Sequence, residues 1–145
     1  MIRRVPLALA LAACLLPGLA AAAERAVAPG PGTLAAAIAT AAPGDVLKLQ
    51  PGRHDGPVTL DKPLTLDGGG DASGNGAELV GNGTGSVITI TGPDAVVRGL
   101  LITGSGSAHQ TIDSGVQIKK GGDRAVVADN RLVGNLHGVD VHGGI

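Results

Sequence analysis

The sequence predicts an all-β solenoid of short strands wound into stacked coils, entered through a short N-terminal capping α-helix. Three observations predict it. Val96-Val97-Arg98-Gly99-Leu100-Leu101-Ile102 leads to Gly115-Val116-Gln117-Ile118, and Val126-Val127-Ala128-Asp129-Asn130-Arg131-Leu132 leads to Gly138-Val139-Asp140-Val141. This self-similarity has a period of roughly 20–30 residues, the signature of a repeat fold. The 145 residues include 25 Gly and 9 Pro but no Phe, Tyr or Trp, so the core is built from thin layers of Val, Ile and Leu joined by many turns. Aliphatic pairs spaced by two recur from Leu47 to Val141, which puts both members of each pair on one sheet face.

Residues 1–23 read as a secretory signal peptide. Arg3 and Arg4 begin it, Val5 to Leu16 is apolar, and Ala21-Ala22-Ala23 offers small residues for cleavage near Ala23. Pro17 and Gly18 end any helix before it could span a bilayer. Leu11-Ala12-Ala13-Cys14 is similar to a lipoprotein box, but apolar sequence continues through Leu15, Leu16 and Leu19, which favours a soluble exported chain over lipid anchoring at Cys14. Without residues 1–23 the chain has nine basic and twelve acidic residues, a net charge of −3, which speaks against nucleic-acid binding. It then also lacks Cys and Met, so soft-metal chemistry falls to histidine.

Residues 24–32 form a Pro/Gly/Ala linker in this reading, and residues 33–44 hold the capping helix. Thr33 is the expected N-cap, the alanines favour helix, and Pro43-Gly44 stops it. Leu34, Ile38 and Ala41 share one face, suited to covering the first open coil. Residues 45–145 then supply β-helix coils. Between Ile102 and Gly115 the chain takes seven residues more than between Leu132 and Gly138. The segment Thr103–Ser114, carrying His109 and Asp113, is therefore a loop leaving the coil, where function is more often found than on a scaffold. Asn130 occupies the position of Leu100 in the other repeat; it either bonds neighbouring backbone at a coil corner or faces solvent in a turn. The sequence stops at Gly143-Gly144-Ile145 soon after a strand, as expected for an incomplete solenoid.

The stretch Thr33–Gly144 resembles the N-terminal part of the NosD family, periplasmic accessory proteins of nitrous oxide reductase maturation. The residues that carry the likeness are Pro43-Gly44-Asp45, Leu49-Gln50-Pro51-Gly52-Arg53-His54-Asp55-Gly56-Pro57, Lys62-Pro63-Leu64-Thr65-Leu66, Val97 to Ile102, Asp113-Ser114-Gly115-Val116 and Asp129 to Val139. The first segments are shared by many carbohydrate-binding and sugar-hydrolase-type β-helices; the Asp113–Val116 exit joined to Asp129–Val139 is more specific. The resemblance implies a right-handed parallel β-helix in the periplasm. It implies partnership with ABC transporter ATPase and permease subunits of the NosF/NosY type, a copper-chaperone lipoprotein and nitrous oxide reductase. The chain departs from the family in length, and in lacking aromatics that members often carry at positions such as His54 and Asp140.

His137, Asp140 and His142 are the densest group of candidate metal ligands, since imidazole and carboxylate suit a divalent ion such as copper. Stacking would place Gln117 beside Asp140 and Lys119 beside His142, about 4.8 Å away, and a lysine there opposes a bound cation. His109 and Asp113 are the candidate partner-contact residues. His54 reads as a polar replacement for a packing aromatic. No catalytic residue is assigned. A polysaccharide lyase, epimerase or hydrolase is the alternative function and a structural or adhesive β-helix the third. Asp113, Asp129 and Asp140 form no recognisable motif with a basic partner, and no aromatic is present to stack sugars.

Overall fold

A computed structural model describes residues 22–143. The signal-peptide expectation and Cys14 fall almost wholly outside them. Four windings follow the chain. The first contains β2 (Val46–Leu49), β3 (Arg53–Asp55) and β4 (Val58–Leu60); the second β5 (Thr65–Asp67), β6 (Glu78–Val80) and β7 (Ile88–Ile90). The third contains β8 (Val96–Arg98), β9 (Leu101–Thr103) and β10 (Ser114–Ile118); the fourth β11 (Val126–Ala128), β12 (Arg131–Leu132) and β13 (His137–Val141). Before them come β1 (Glu24–Val27) and α1 (Thr33–Thr40).

Each winding gives one strand to each of three parallel sheets, ordered β1-β2-β5-β8-β11, β3-β6-β9-β12 and β4-β7-β10-β13. This is a right-handed parallel β-helix. Strands of two to five residues are too short to persist alone; they hold because the windings above and below complete their hydrogen bonds. The register aligns the inward side chains as rows. Leu47, Leu66, Val97 and Val127 form one. His54, Leu79, Ile102 and Leu132 form another. The third sheet carries two, Val58-Ile88-Val116-Val139 and Leu60-Ile90-Ile118-Val141. Leu66, Leu79, Ile88, Ile90, Val97 and Ile102 are fully buried, whereas Val139 and Val141 of the fourth winding are 45% and 64% exposed, because only one of that winding's sides meets another described coil.

Three local expectations are corrected. The segment expected as a linker, residues 24–32, begins with β1, which pairs in parallel with β2 along its whole length. Thr33 does not cap the helix. Gly32 takes that position with φ 70°, and the Thr33 hydroxyl donates to the carbonyls of Ala28 and Gly30 at 2.7 and 3.1 Å. The helix also ends at Thr40, where extended backbone at Ala41 breaks the ladder. Its covering task holds: α1 buries Leu34 and Ile38 and packs on β1, β3 and β4. Gly30 bridges in parallel to His54. The first winding is thus closed by a strand, a bridge and a helix.

Polar rows lock the windings from outside and at the corners. In register on the first sheet, Lys48 Nζ and Arg98 Nη2 donate to the same Asp67 carboxylate oxygen at 2.8 and 3.0 Å. Burial pushes the Asp67 carboxyl up, but hydrogen bonds from Lys48, the Gly69 amide and Arg98 outweigh it and hold it below the ordinary range. Asn130 bonds its neighbours: Oδ1 accepts from the Leu100 amide at 3.0 Å and Nδ2 donates to the Val97 carbonyl at 2.8 Å. The preceding residue, Asp129, adopts φ 56°, matching Gly99 at φ 68° one winding earlier; aspartate is among the few side chains that tolerate this conformation.

Leu79→Ala should destabilise the chain by about 2–5 kcal/mol, since the cavity lies between two windings that cannot collapse onto it. Val141→Ala, at the exposed end of an equivalent row, should cost about 1 kcal/mol or less. Chemical denaturation of both variants measures the contrast.

Candidate functional site

The polar side chains singled out by the sequence fall on β13 and on the loop that joins β9 to β10. The loop leaves after Thr103 and returns at Ser114. Rather than projecting, it folds back onto the sheet. Its Gly106 amide donates to the Gly85 carbonyl at 2.8 Å. The Ser105 amide donates to Asn135 Oδ1 at 3.1 Å, while Asn135 Nδ2 donates to the Ile102 carbonyl at 3.0 Å. Asn135 therefore repeats at the second corner what Asn130 does at the first.

Asp113 organises the loop from within. It is 3% exposed. One carboxylate oxygen accepts from the Thr111 hydroxyl at 2.6 Å and the other from the Ala108 amide at 3.0 Å. These two bonds hold its carboxyl below the ordinary range, against the upward push of burial. The neighbouring Ile112 sits at φ 53°, a conformation a β-branched residue adopts only when its surroundings impose it. That geometry lets the Ile112 carbonyl accept from the Ser114 hydroxyl at 2.7 Å. Asp113, expected at a partner contact, is thus turned inward as the anchor of the loop, and His109 on the same loop is exposed.

Beneath the loop lie buried polar groups that the sequence reading did not single out as a site. Gln117, 5% exposed, donates through Nε2 to the Thr111 carbonyl at 3.1 Å and reaches Asp140 Oδ2 at 3.4 Å. Ser86 Oγ donates to Gln117 Oε1 at 3.4 Å and accepts from the Ser114 amide at 3.0 Å. Beside them runs a cleft of about 450 Å³ lined by Thr59, Thr89, Thr111, Gln117 and Lys119. Its only sequence signal is a polar outward residue at matching positions of successive windings, Thr59, Thr89, Gln117 and Asp140, which requires the register to be known.

The expected stacking of Gln117 beside Asp140 holds, and the His142 amide donates to the Ile118 carbonyl at 2.7 Å, next to Lys119. The three expected metal ligands are not gathered at one point. His137 lies opposite Ser114 and shares strand parity with the inward Val139 and Val141, whereas Asp140 lies opposite the outward Gln117. Among the described residues no three His, Cys, Asp or Glu side chains stand close enough to hold one metal ion. His137 instead approaches His109, their ring centroids 6.0 Å apart and their planes at 82°. His54 is fully buried in the core, its Nε2 2.8 Å from the Gln50 carbonyl, as a polar substitute for a packing aromatic should be.

The chain is similar to two proteins described as "Probable ABC transporter binding protein NosD". It is 32% identical to that of Stutzerimonas stutzeri over 96 residues, 66% of this chain and 21% of the relative. It is 34% identical to that of Pseudomonas aeruginosa over 91 residues, 63% of this chain and 20% of the relative. The chain thus spans about a fifth of the length of the curated relatives it matches. No family model matches the chain, and no solved structure matches it.

Asp113→Ala should raise hydrogen exchange at the amides of 104–113 while β4 and β7 keep their protection. Because the folded Asp113 carboxyl titrates below its unfolded value of 3.8, its support is complete above that value and is lost as pH falls through the lower folded one. Loop protection should therefore drop below about pH 4 in the unmodified chain and show no such step in the variant.

Proposed function

We propose that this chain is a NosD-type accessory protein, an exported β-helix that docks with an ABC transporter during maturation of the copper–sulfur centre of nitrous oxide reductase. The observation that carries the reading is its likeness to two proteins described as ABC transporter binding proteins. Its partners in this scheme are ATPase and permease subunits of the NosF/NosY type, a copper-carrying lipoprotein and the reductase, with copper as cargo. The docking surface is the loop-covered face of β10 and β13, where a rigid sheet carries an ordered loop and exposed Lys119, Lys120 and His142.

Five carboxylates, Asp45, Asp67, Asp71, Asp94 and Asp113, are held below the ordinary range by nearby donors and serve the architecture in this reading.

Export into the periplasm belongs to the same proposal, and the hydrogen bonds of Ala23 favour a cut that leaves this residue in the exported chain. The Ala23 amide donates to buried Asp45 at 3.0 Å, and the Ala23 carbonyl accepts from the Val46 amide at 2.9 Å. Cleavage before Ala23 keeps both bonds; cleavage after it removes both. The exported protein should start at Ala22 or Ala23 by intact mass, and a start at Glu24 would contradict this.

The exported protein, affinity-tagged in cells expressing the reductase, should co-purify with the transporter's ATPase and permease subunits. Lys119→Glu combined with Lys120→Glu should reduce that recovery several-fold without lowering the melting temperature. Failure to co-purify, together with turnover of uronate polymers, would replace docking with the polysaccharide alternative.

A further inference from the structure

We infer that His109 and His137 form a two-imidazole site for a divalent transition ion, and that the ion staples the β9–β10 loop to the fourth winding. The inference does not rest on the transporter reading. The two rings come from elements far apart in sequence: His109 from the loop, His137 from the first position of β13. Both are exposed, so an ion reaches them without opening the core.

The spacing suits a shared ion. A ring nitrogen lies about 2.0–2.1 Å from zinc, so two imidazoles on one ion hold their centroids about 5–6 Å apart. The observed separation is 6.0 Å with nearly perpendicular planes. Two protein ligands leave the remaining positions to water, and imidazole selects zinc, nickel or copper over magnesium or calcium.

The electrostatics favour this end of β13 over the other. Lys119 and Lys120 flank the His142 end, where the His142 amide bonds Ile118 and Gly143 lies against Lys120. His137 stands five residues back, about 16 Å along the strand. Its amide donates to the Asp113 carbonyl at 3.2 Å. Asp113 supplies a nearby carboxylate whose own donors are Thr111 and Ala108, so it adds negative field without ligating.

The consequence is mechanical. The loop already reaches the fourth winding through the Ser105–Asn135 bond and through the Asp113 carbonyl. An ion across His109 and His137 adds a tie beyond the strand ladder and holds the loop closed over Gln117 and Asp140.

Zinc alone, titrated into the chelator-stripped exported protein, tests the site. One equivalent should perturb the imidazole proton resonances of His109 and His137 together and raise the melting temperature, because the ion binds only the folded arrangement. His109→Ala and His137→Ala should each abolish both responses while melting like the parent without metal, and His142→Ala should retain them. A zinc response that survives either of the first two substitutions, or is lost in His142→Ala, overturns the site. So does the absence of any perturbation of the two imidazoles at millimolar zinc.

Discussion

The structure depends on one constraint: each winding must offer its neighbour the same three short strands in the same register. A strand of three residues buries too little to persist by itself. It survives because parallel bonds to both neighbouring windings fix its backbone, and because that register piles its inward aliphatic side chain on another. The rows from Leu47 to Val127 and from Val58 to Val139 are the direct result. Stability is then mainly a nearest-neighbour property, and it declines toward a winding that meets only one other described coil.

The same constraint explains how the polar residues are used. A fixed rise between windings means that a polar side chain meets the same kind of backbone at every level. Asn130 and Asn135 exploit this at two corners, each satisfying an amide and a carbonyl of the winding before it. Asp67 uses it on the outer face, where two cations from adjacent windings share one carboxylate oxygen. Asp45 ties β1 and the helix end to the first winding through Ala23, Ala42 and Arg25. These carboxylates are committed to architecture. On the face that the loop covers, Gln117, Ser86 and Asp140 instead form a network bounded by a cleft.

Much of this was legible in the chain. The doubled motif, the spacing of two within each aliphatic pair and the missing aromatics led to a β-helix, and the helix face of Leu34 and Ile38 to its cap. The long connection after Ile102 identified the loop. Local signals failed where a tertiary partner overrode them. Glu24–Val27 looks like a linker because nothing in its own sequence patterns it; it is a strand because β2 offers an unpaired edge. Thr33 looks like an N-cap, but its hydroxyl finds the Ala28 and Gly30 carbonyls and Gly32 turns the chain.

The sequence by itself determined the type of fold, since period and side-chain alternation are properties of consecutive residues. Only the tertiary structure decided which side chains meet, since that depends on register between windings about thirty residues apart. His137, Asp140 and His142 are close along the chain, yet strand parity sets His137 apart from the outward Asp140. His109 and His137 are distant along the chain, yet a loop that folds back brings their rings together. Asp113 was legible as a loop residue, but its role was set when the turn at Ile112 aimed its carboxylate inward.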